Sequence, residues 1–266
     1  MTPKWNIIMT KYIAKKPDES GYIHFTAEEN ETWKILIERQ LEVVKNRACK
    51  EFIHGLEKLN LPLDRIPQCQ EISAVLQQCT GFSVVPVSAI IPLKEFFRLL
   101  ANRQFPAASF IRIREELDYL QEPDIFHEYF GHCPLLTDPS YADFVQWYGE
   151  TALNADKHTR SILGRLFWFT IEFGLVQTEN GLRIYGGGIL SSFSETKYAL
   201  ESEIPQRNAF KLAKILNTHY RYDEIQKEYF VLENLSHLFK IKEQPILKIS
   251  QAILDGNLSD EDFVIC

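Results

Sequence analysis

The segment PDIFHEYFGHCPLL, beginning at Pro123, places His127 and His132 five residues apart with Glu128 beside the first. Neutral imidazoles and carboxylates are the side chains that hold a catalytic divalent metal. A zinc-protease helix carries H-E-x-x-H, with the two histidines at i and i+4 on one face. Here one extra residue intervenes. On a regular α-helix, positions i and i+4 differ by about 40° in direction and positions i and i+5 by about 140°. His127 and His132 therefore cannot share a metal from a straight α-helix. Gly131 permits a distorted last turn or a helix end just before the second histidine, and Pro134 reinforces a break soon after.

A third ligand must come from elsewhere in the chain. Glu172 lies in FWFTIEFGL, with Trp168 and Phe169 one turn earlier and Phe173 beside it. A carboxylate among aromatics is costly unless it is paired or bound to a cation. Two histidines and one carboxylate on one face of an octahedron leave three positions open, the arrangement of non-haem Fe(II) oxygenases. The residue types alone leave other readings standing. The histidines suit a hydrogen-bonded core, Glu172 could pair with Arg165 seven residues back, and a zinc hydrolase could use the same three side chains.

The elements that must position these residues follow from periodicity. Residues 1–26 are mixed and polar, and read as an extended arm. From Ala27, apolar residues at Trp33, Leu36, Ile37, Leu41 and Val44 recur with helical spacing. That pattern continues toward Leu59, where NLPLDRIP breaks it. A short helix ends at Gly81, FSVVPV is an edge strand, Pro92 opens a helix, and SFIRI is a second strand. A helix starting near Pro123 carries the first histidine. Asp138 and Pro139 form the N-cap and first position of another helix, and a further one runs from about His158 to Phe173. GLRIYGGG reads as a hairpin or strand–turn segment, and helices are expected around 195–202 and 206–216. The fold class predicted is α+β, mostly helical, with a small irregular sheet in one domain spanning 1–266.

Composition excludes several classes of function. The 266 residues are 45% hydrophobic and 24% charged, with a formal net charge of −7. So acidic a chain has no overall attraction for nucleic acid or an anionic membrane. There is no apolar h-region at the N-terminus and no apolar run of membrane-spanning length. Five cysteines, without a C-x-x-C pair, read as reduced thiols, and the expected compartment is the cytoplasm.

EPDIFHEYFGHCPLL, FWFTIEFGL and YGGGILSSFSE occur in that order, and together they resemble the pterin-dependent aromatic amino acid hydroxylases. The resemblance is strong over roughly residues 80 to 200 and is closest to the short bacterial members that act on phenylalanine. It implies that His127, His132 and Glu172 bind one Fe(II), with a tetrahydropterin and O2 as co-substrates. By the family mechanism, a peroxypterin and then a ferryl-oxo species convert L-phenylalanine to L-tyrosine. It further implies that Arg112, in FIRIREE, grips the amino acid carboxylate while Asp124 orients it. Trp168, Gly188 and Ser191 would line that pocket. Phe96 would stack on the pterin, with Ile91 and Glu128 facing it. Phe167 and Leu120 stand where animal members carry tyrosine and threonine. No regulatory domain and no tetramerisation helix are expected, so the chain would be a monomer or a homodimer. Residues 186–188 are three successive glycines, and neither G-K-[ST] nor G-x-G-x-x-G fits them as a phosphate loop.

Overall fold

The computed structural model describes residues 12–88, 91–118, 122–222 and 224–257. Leu120, Cys266 and the first eleven residues of the expected arm lie outside the described residues. Residues 12–25 carry no regular helix or strand, and Ile23 is buried, its backbone bonded to the Gln68 side chain. Helix α1 (Ala27–Val44) starts at a capping box between Thr26 and Glu29, and turns Trp33, Leu36 and Ile37 inward.

The helical pattern toward Leu59 is not one helix. It divides into α1 and α2 (Lys50–Leu59). Between them Asn46 adopts φ 60°, a left-handed conformation that asparagine tolerates. The break is used for pairing: Ile184 N donates to Arg47 O at 2.8 Å, and Cys49 N donates to Ile184 O at 2.8 Å. Helix α3 (Cys69–Thr80) ends as expected at Gly81, whose φ is 78°. Strand β1 (Ser83–Val87) follows, then α4 (Leu93–Ala101), N-capped by Pro92.

The second strand is displaced from SFIRI. Strand β2 is Gln104–Ala108, and it pairs in parallel with β1 alone. Each strand is an edge, so Pro86 and Pro106 do no damage. The backbone of SFIRI is engaged elsewhere: Ile125 N donates to Phe110 O at 2.9 Å, and Arg112 N donates to Asp124 Oδ2 at 3.0 Å.

Residues 127–132 and 168–172 are π-helical. Between them run α5 (Pro139–Asn154), capped by Asp138 Oδ1 on Tyr141 N at 2.9 Å, and α6 (Lys157–Phe167). Strands β3 (Gly174–Thr178) and β4 (Gly181–Ile184) form a hairpin turned at Gly181 with φ 94°, so GLRIYGGG is a strand and a turn and not a hairpin by itself. Next come α7 (Gly187–Leu190) and α8 (Phe193–Glu201). The helix expected over 206–216 begins only at α9 (Leu212–Asn217). Gln206–Ala209 is strand β5, drawn into parallel pairing with β6 (Glu228–Leu232). The larger sheet has the order β4-β3-β6-β5. Helices α10 (Leu235–Lys240) and α11 (Ile246–Leu254) complete the described chain.

One continuous buried apolar cluster, from Ile23 to Ile249, joins these elements. The fold is α+β, mostly helical, with two small sheets. No helix among the described residues is long and apolar enough to cross a membrane.

Candidate metal centre

The π-helical turns answer the spacing problem. A π turn bonds i to i+5, so the fifth residue comes back over the first. Cys133 N donates to Glu128 O at 3.2 Å, and Phe173 N donates to Trp168 O at 2.9 Å. The first turn brings His127 and His132 to one side, and the second ends by presenting Glu172 to them. His127 Nε2 and His132 Nε2 are 3.0 Å apart. Glu172 Oε1 is 3.3 Å from His132 Nε2, and Glu172 Oε2 is 3.7 Å from His127 Nε2. Donors sharing one divalent ion at about 2.1 Å stand roughly 3.0–3.4 Å apart. The 3.0 and 3.3 Å separations meet that range and the 3.7 Å one lies just beyond it, so a small turn of the Glu172 carboxylate lets the set hold a single ion.

Arg165 does not pair with Glu172; its Nη1 donates to Leu216 O at 2.6 Å. The two imidazoles are therefore the ionic contacts of Glu172. Burial raises its pKa, but the two imidazoles more than offset this, and the carboxyl stays below its usual range. Burial lowers His127 to about 4, so its imidazole is neutral and its lone pair is available. The cluster is shielded unevenly. The His132 side chain is 2% exposed, whereas His127 and Glu172 keep 16% and 15%. One side of the donor set thus remains reachable by small molecules.

The orientation of each imidazole has its own cause. His127 Nδ1 lies 2.9 Å from Ser191 Oγ, and Ser191 Oγ donates to Gly187 O at 2.9 Å. A carbonyl only accepts, so Ser191 Oγ accepts a hydrogen bond from Nδ1–H of His127, and Nε2 is left bare. His132 is held by packing. Phe105 lies against its ring at 5.1 Å between centroids, and its buried Nδ1 has no hydrogen-bond partner among the described residues.

The three glycines are here for space. A Cβ on Gly187 would sit 2.5 Å from His132 Nδ1, and one on Gly188 would sit 2.8 Å from Glu172 Oε2. A Cβ on Gly186 would strike the Glu172 carbonyl. Gly131 serves the same end. It has no left-handed φ, yet its bare Cα admits the Gly187 carbonyl, which a Cβ would meet at 2.5 Å. The helix distortion expected at Gly131 is thus a π turn with a close backbone approach. These contacts fall between distant segments, and no local pattern in the sequence announces them.

Glu128 also offers a carboxylate oxygen within 4.8 Å of a nitrogen on each histidine. Burial raises its pKa first and the negative Glu172 raises it further, so it sits well above the usual range. A neutral acid is the poorer ligand, and Glu172 makes the direct contacts with both Nε2 atoms.

Beside this cluster lies a buried ion pair. Arg112 Nε donates to Asp124 Oδ2 at 2.8 Å, and Nη2 donates to Oδ1 at 2.9 Å. Arg112 is 6% exposed and Asp124 fully buried. Burial pushes the Asp124 carboxyl upward, but the Arg112 charge wins and holds it below its ordinary value. Asp124 Oδ1 also accepts from His127 N at 3.0 Å. One carboxylate therefore ties the guanidinium to the start of the metal-bearing turn. Arg112 Nη1 makes no hydrogen bond among the described residues, leaving a donor for a ligand carboxylate.

Trp168, Phe173 and Gly188 form a continuous wall. The Trp168 and Phe173 rings are 4.6 Å apart, and a Cβ on Gly188 would lie 3.1 Å from Phe173 Cζ. Phe105 and Gly187 are site neighbours that the sequence pattern did not single out, and Phe173, legible there only as an aromatic beside Glu172, joins the wall. Phe96 stands edge-on to Phe167 at 5.3 Å, and Phe167 lies 6.5 Å from the His132 ring. Ile91 is half-buried just ahead of α4.

The biopterin-dependent aromatic amino acid hydroxylase family matches residues 5–251. A Pseudomonas aeruginosa protein named phenylalanine-4-hydroxylase is 53% identical over 240 residues, covering 90% of this chain and 91% of that one. The apo structure of the cold-active phenylalanine hydroxylase from Colwellia psychrerythraea 34H superposes with a TM-score of 0.88. It is 51% identical and covers 92% of this chain and 94% of its own. Phenylalanine hydroxylase from Chromobacterium violaceum, solved with bound oxidised Fe(III), gives a TM-score of 0.86 at 40% identity. There the coverage is 95% and 93%.

Proposed function

The chain belongs to the biopterin-dependent aromatic amino acid hydroxylase family, and from that premise we propose that it converts L-phenylalanine to L-tyrosine. Fe(II), a tetrahydropterin and O2 take part, and one catalytic domain does the work. His127, His132 and Glu172 would hold the iron. The observation that carries this reading is their convergence, with donor atoms 3.0, 3.3 and 3.7 Å apart. Bound iron and reduced pterin supply the activation of O2, chemistry that no side chain can provide.

The protein's part is positioning and shelter. Arg112, held by Asp124, would receive the amino acid carboxylate through its unused Nη1, since guanidinium and carboxylate match in shape and charge. Trp168, Phe173 and Gly188 would flank the aromatic ring and keep water from it. Ser191 would hold His127 in the tautomer that leaves Nε2 free. Phe96 would stack on the pterin, with Ile91 and Glu128 beside it. The phenylalanine preference rests on relatives such as the Pseudomonas aeruginosa protein. We place the activity in the cytoplasm: four of the cysteines are free thiols, three of them buried.

Purified protein loaded with Fe(II) and given a tetrahydropterin should form tyrosine from phenylalanine, in preference to hydroxylating tyrosine or tryptophan. Turnover of tryptophan alone would overturn the substrate assignment. Turnover of all three amino acids unaffected by pterin or O2 would overturn the chemistry.

A further inference from the structure

The Trp168 indole is fixed on three sides. It stacks on Tyr220 at 4.3 Å with an interplanar angle of 12°, meets Phe173 at 4.6 Å, and donates Nε1–H to Gln226 Oε1 at 2.9 Å. Gln226 is 6% exposed, and its amide is fully used. Nε2 donates to the carbonyls of Arg221 and Glu224 at 3.0 and 3.1 Å. An indole N–H only donates and a carbonyl only accepts, so just one orientation of the amide satisfies all three contacts.

Gln226 is itself anchored. Its backbone N–H points to Glu195 Oε1 at 3.4 Å, and the Tyr229 hydroxyl donates to that oxygen at 2.7 Å. A chain of polar contacts thus runs from β6 and α8 through Gln226 to the first residue of the π turn that ends at Glu172. A buried primary amide is costly unless every partner is present. Here that cost is met in order to hold a half-buried indole whose N–H could otherwise turn to solvent. The wall that Trp168 shares with Phe173 and Gly188 ends against the Glu172 carboxylate.

We propose that Gln226 is a positioning residue that sets amino acid preference: through the indole N–H it holds the Trp168–Phe173 wall where an incoming aromatic ring must fit. The proposal rests on Trp168 lining the amino acid site, as in the functional reading above.

The test compares wild type, Gln226→Leu, Trp168→Phe and the double variant, all loaded with Fe(II). Steady-state kinetics with L-phenylalanine and L-tryptophan are read beside calorimetric Kd, iron content and circular dichroism. Gln226→Leu should keep its iron and fold, raise KM and Kd for phenylalanine roughly five- to tenfold, the worth of one hydrogen bond, and change kcat less than about twofold. The ratio of kcat/KM for phenylalanine to that for tryptophan should shift as well. In the Trp168→Phe background, Gln226→Leu should add almost nothing. An equal effect in both backgrounds, or an unmoved KM and Kd, overturns the proposal. Should Gln226→Leu not fold, Gln226→Met keeps the side-chain length and carries the same comparison. Wild-type protein inactive on every aromatic amino acid would sink the functional reading and this proposal with it; an active wild type with an unmoved Gln226→Leu KM sinks this proposal alone.

Discussion

The imidazole of His132 lies directly against the Cα of Gly187, so that a methyl group there would be 2.5 Å from Nδ1. The ring is 2% exposed, so a methyl group there cannot be relieved by a swing into solvent and must displace the ring within the site. Gly187→Ala should therefore push His132 out of the donor set while leaving most of the fold intact. Iron affinity should fall at least about 10- to 100-fold, the range seen when support to a ligand is lost. Iron titration read beside circular dichroism checks this.

Ser191 reaches the other imidazole. Removing its hydroxyl in Ser191→Ala leaves His127 Nδ1 without its 2.9 Å partner. The ring is then free to turn or to change tautomer. A loss of roughly 10- to 100-fold in metal affinity is expected, with little change in thermal stability. Isothermal titration with Co(II) measures the first and a melting curve the second.

Asp124 supports both Arg112 and the His127 backbone. Asp124→Ala would leave a buried guanidinium without its counter-charge. Such a loss costs about 3–5 kcal/mol, and urea unfolding should show it. Arg112→Ala in turn leaves Asp124 buried and unpaired, and should raise KM for the amino acid.

Burial lowers His127 from an ordinary value near 6.5 to about 4. Between those values the unfolded chain takes up a proton that the folded, metal-free protein refuses. Its contribution to stability is therefore full above about pH 6.5 and drains away as the pH falls toward 4, at up to roughly 1.4 kcal/mol per pH unit. Melting temperatures of metal-free protein across this window should fall more steeply for wild type than for His127→Gln.

Metal binding should stabilise the fold, because the donor set exists only in the folded chain. At a free ion concentration 100 times Kd the gain is about 2.7 kcal/mol. A chelator should reverse it. Glu172→Ala should abolish it, since the remaining pair of imidazoles carries no charge to offset the cation. Melting curves with and without Co(II) decide the matter.

The sequence by itself determined the parts whose cause is local. The helical pattern from Ala27, the start capped by Asp138 and the stop at Gly81 all rest on residue type and near neighbours. The ligand candidates were also legible, because imidazoles and a carboxylate among aromatics demand a partner. What remained hidden depends on long-range pairing. The break after Val44 serves an edge at Ile184, SFIRI lends its backbone to residues 124 and 125, and 206–209 joins a sheet with β6. Only the tertiary structure decided that Arg165 turns to Leu216 while Glu172 meets both imidazoles. It alone showed why three glycines stand together at 186–188: the backbone must pass within touching distance of two side chains contributed by segments far away in the chain. Side-chain spacing along one helix is a property of a short stretch, whereas a shared coordination point depends on how several stretches pack.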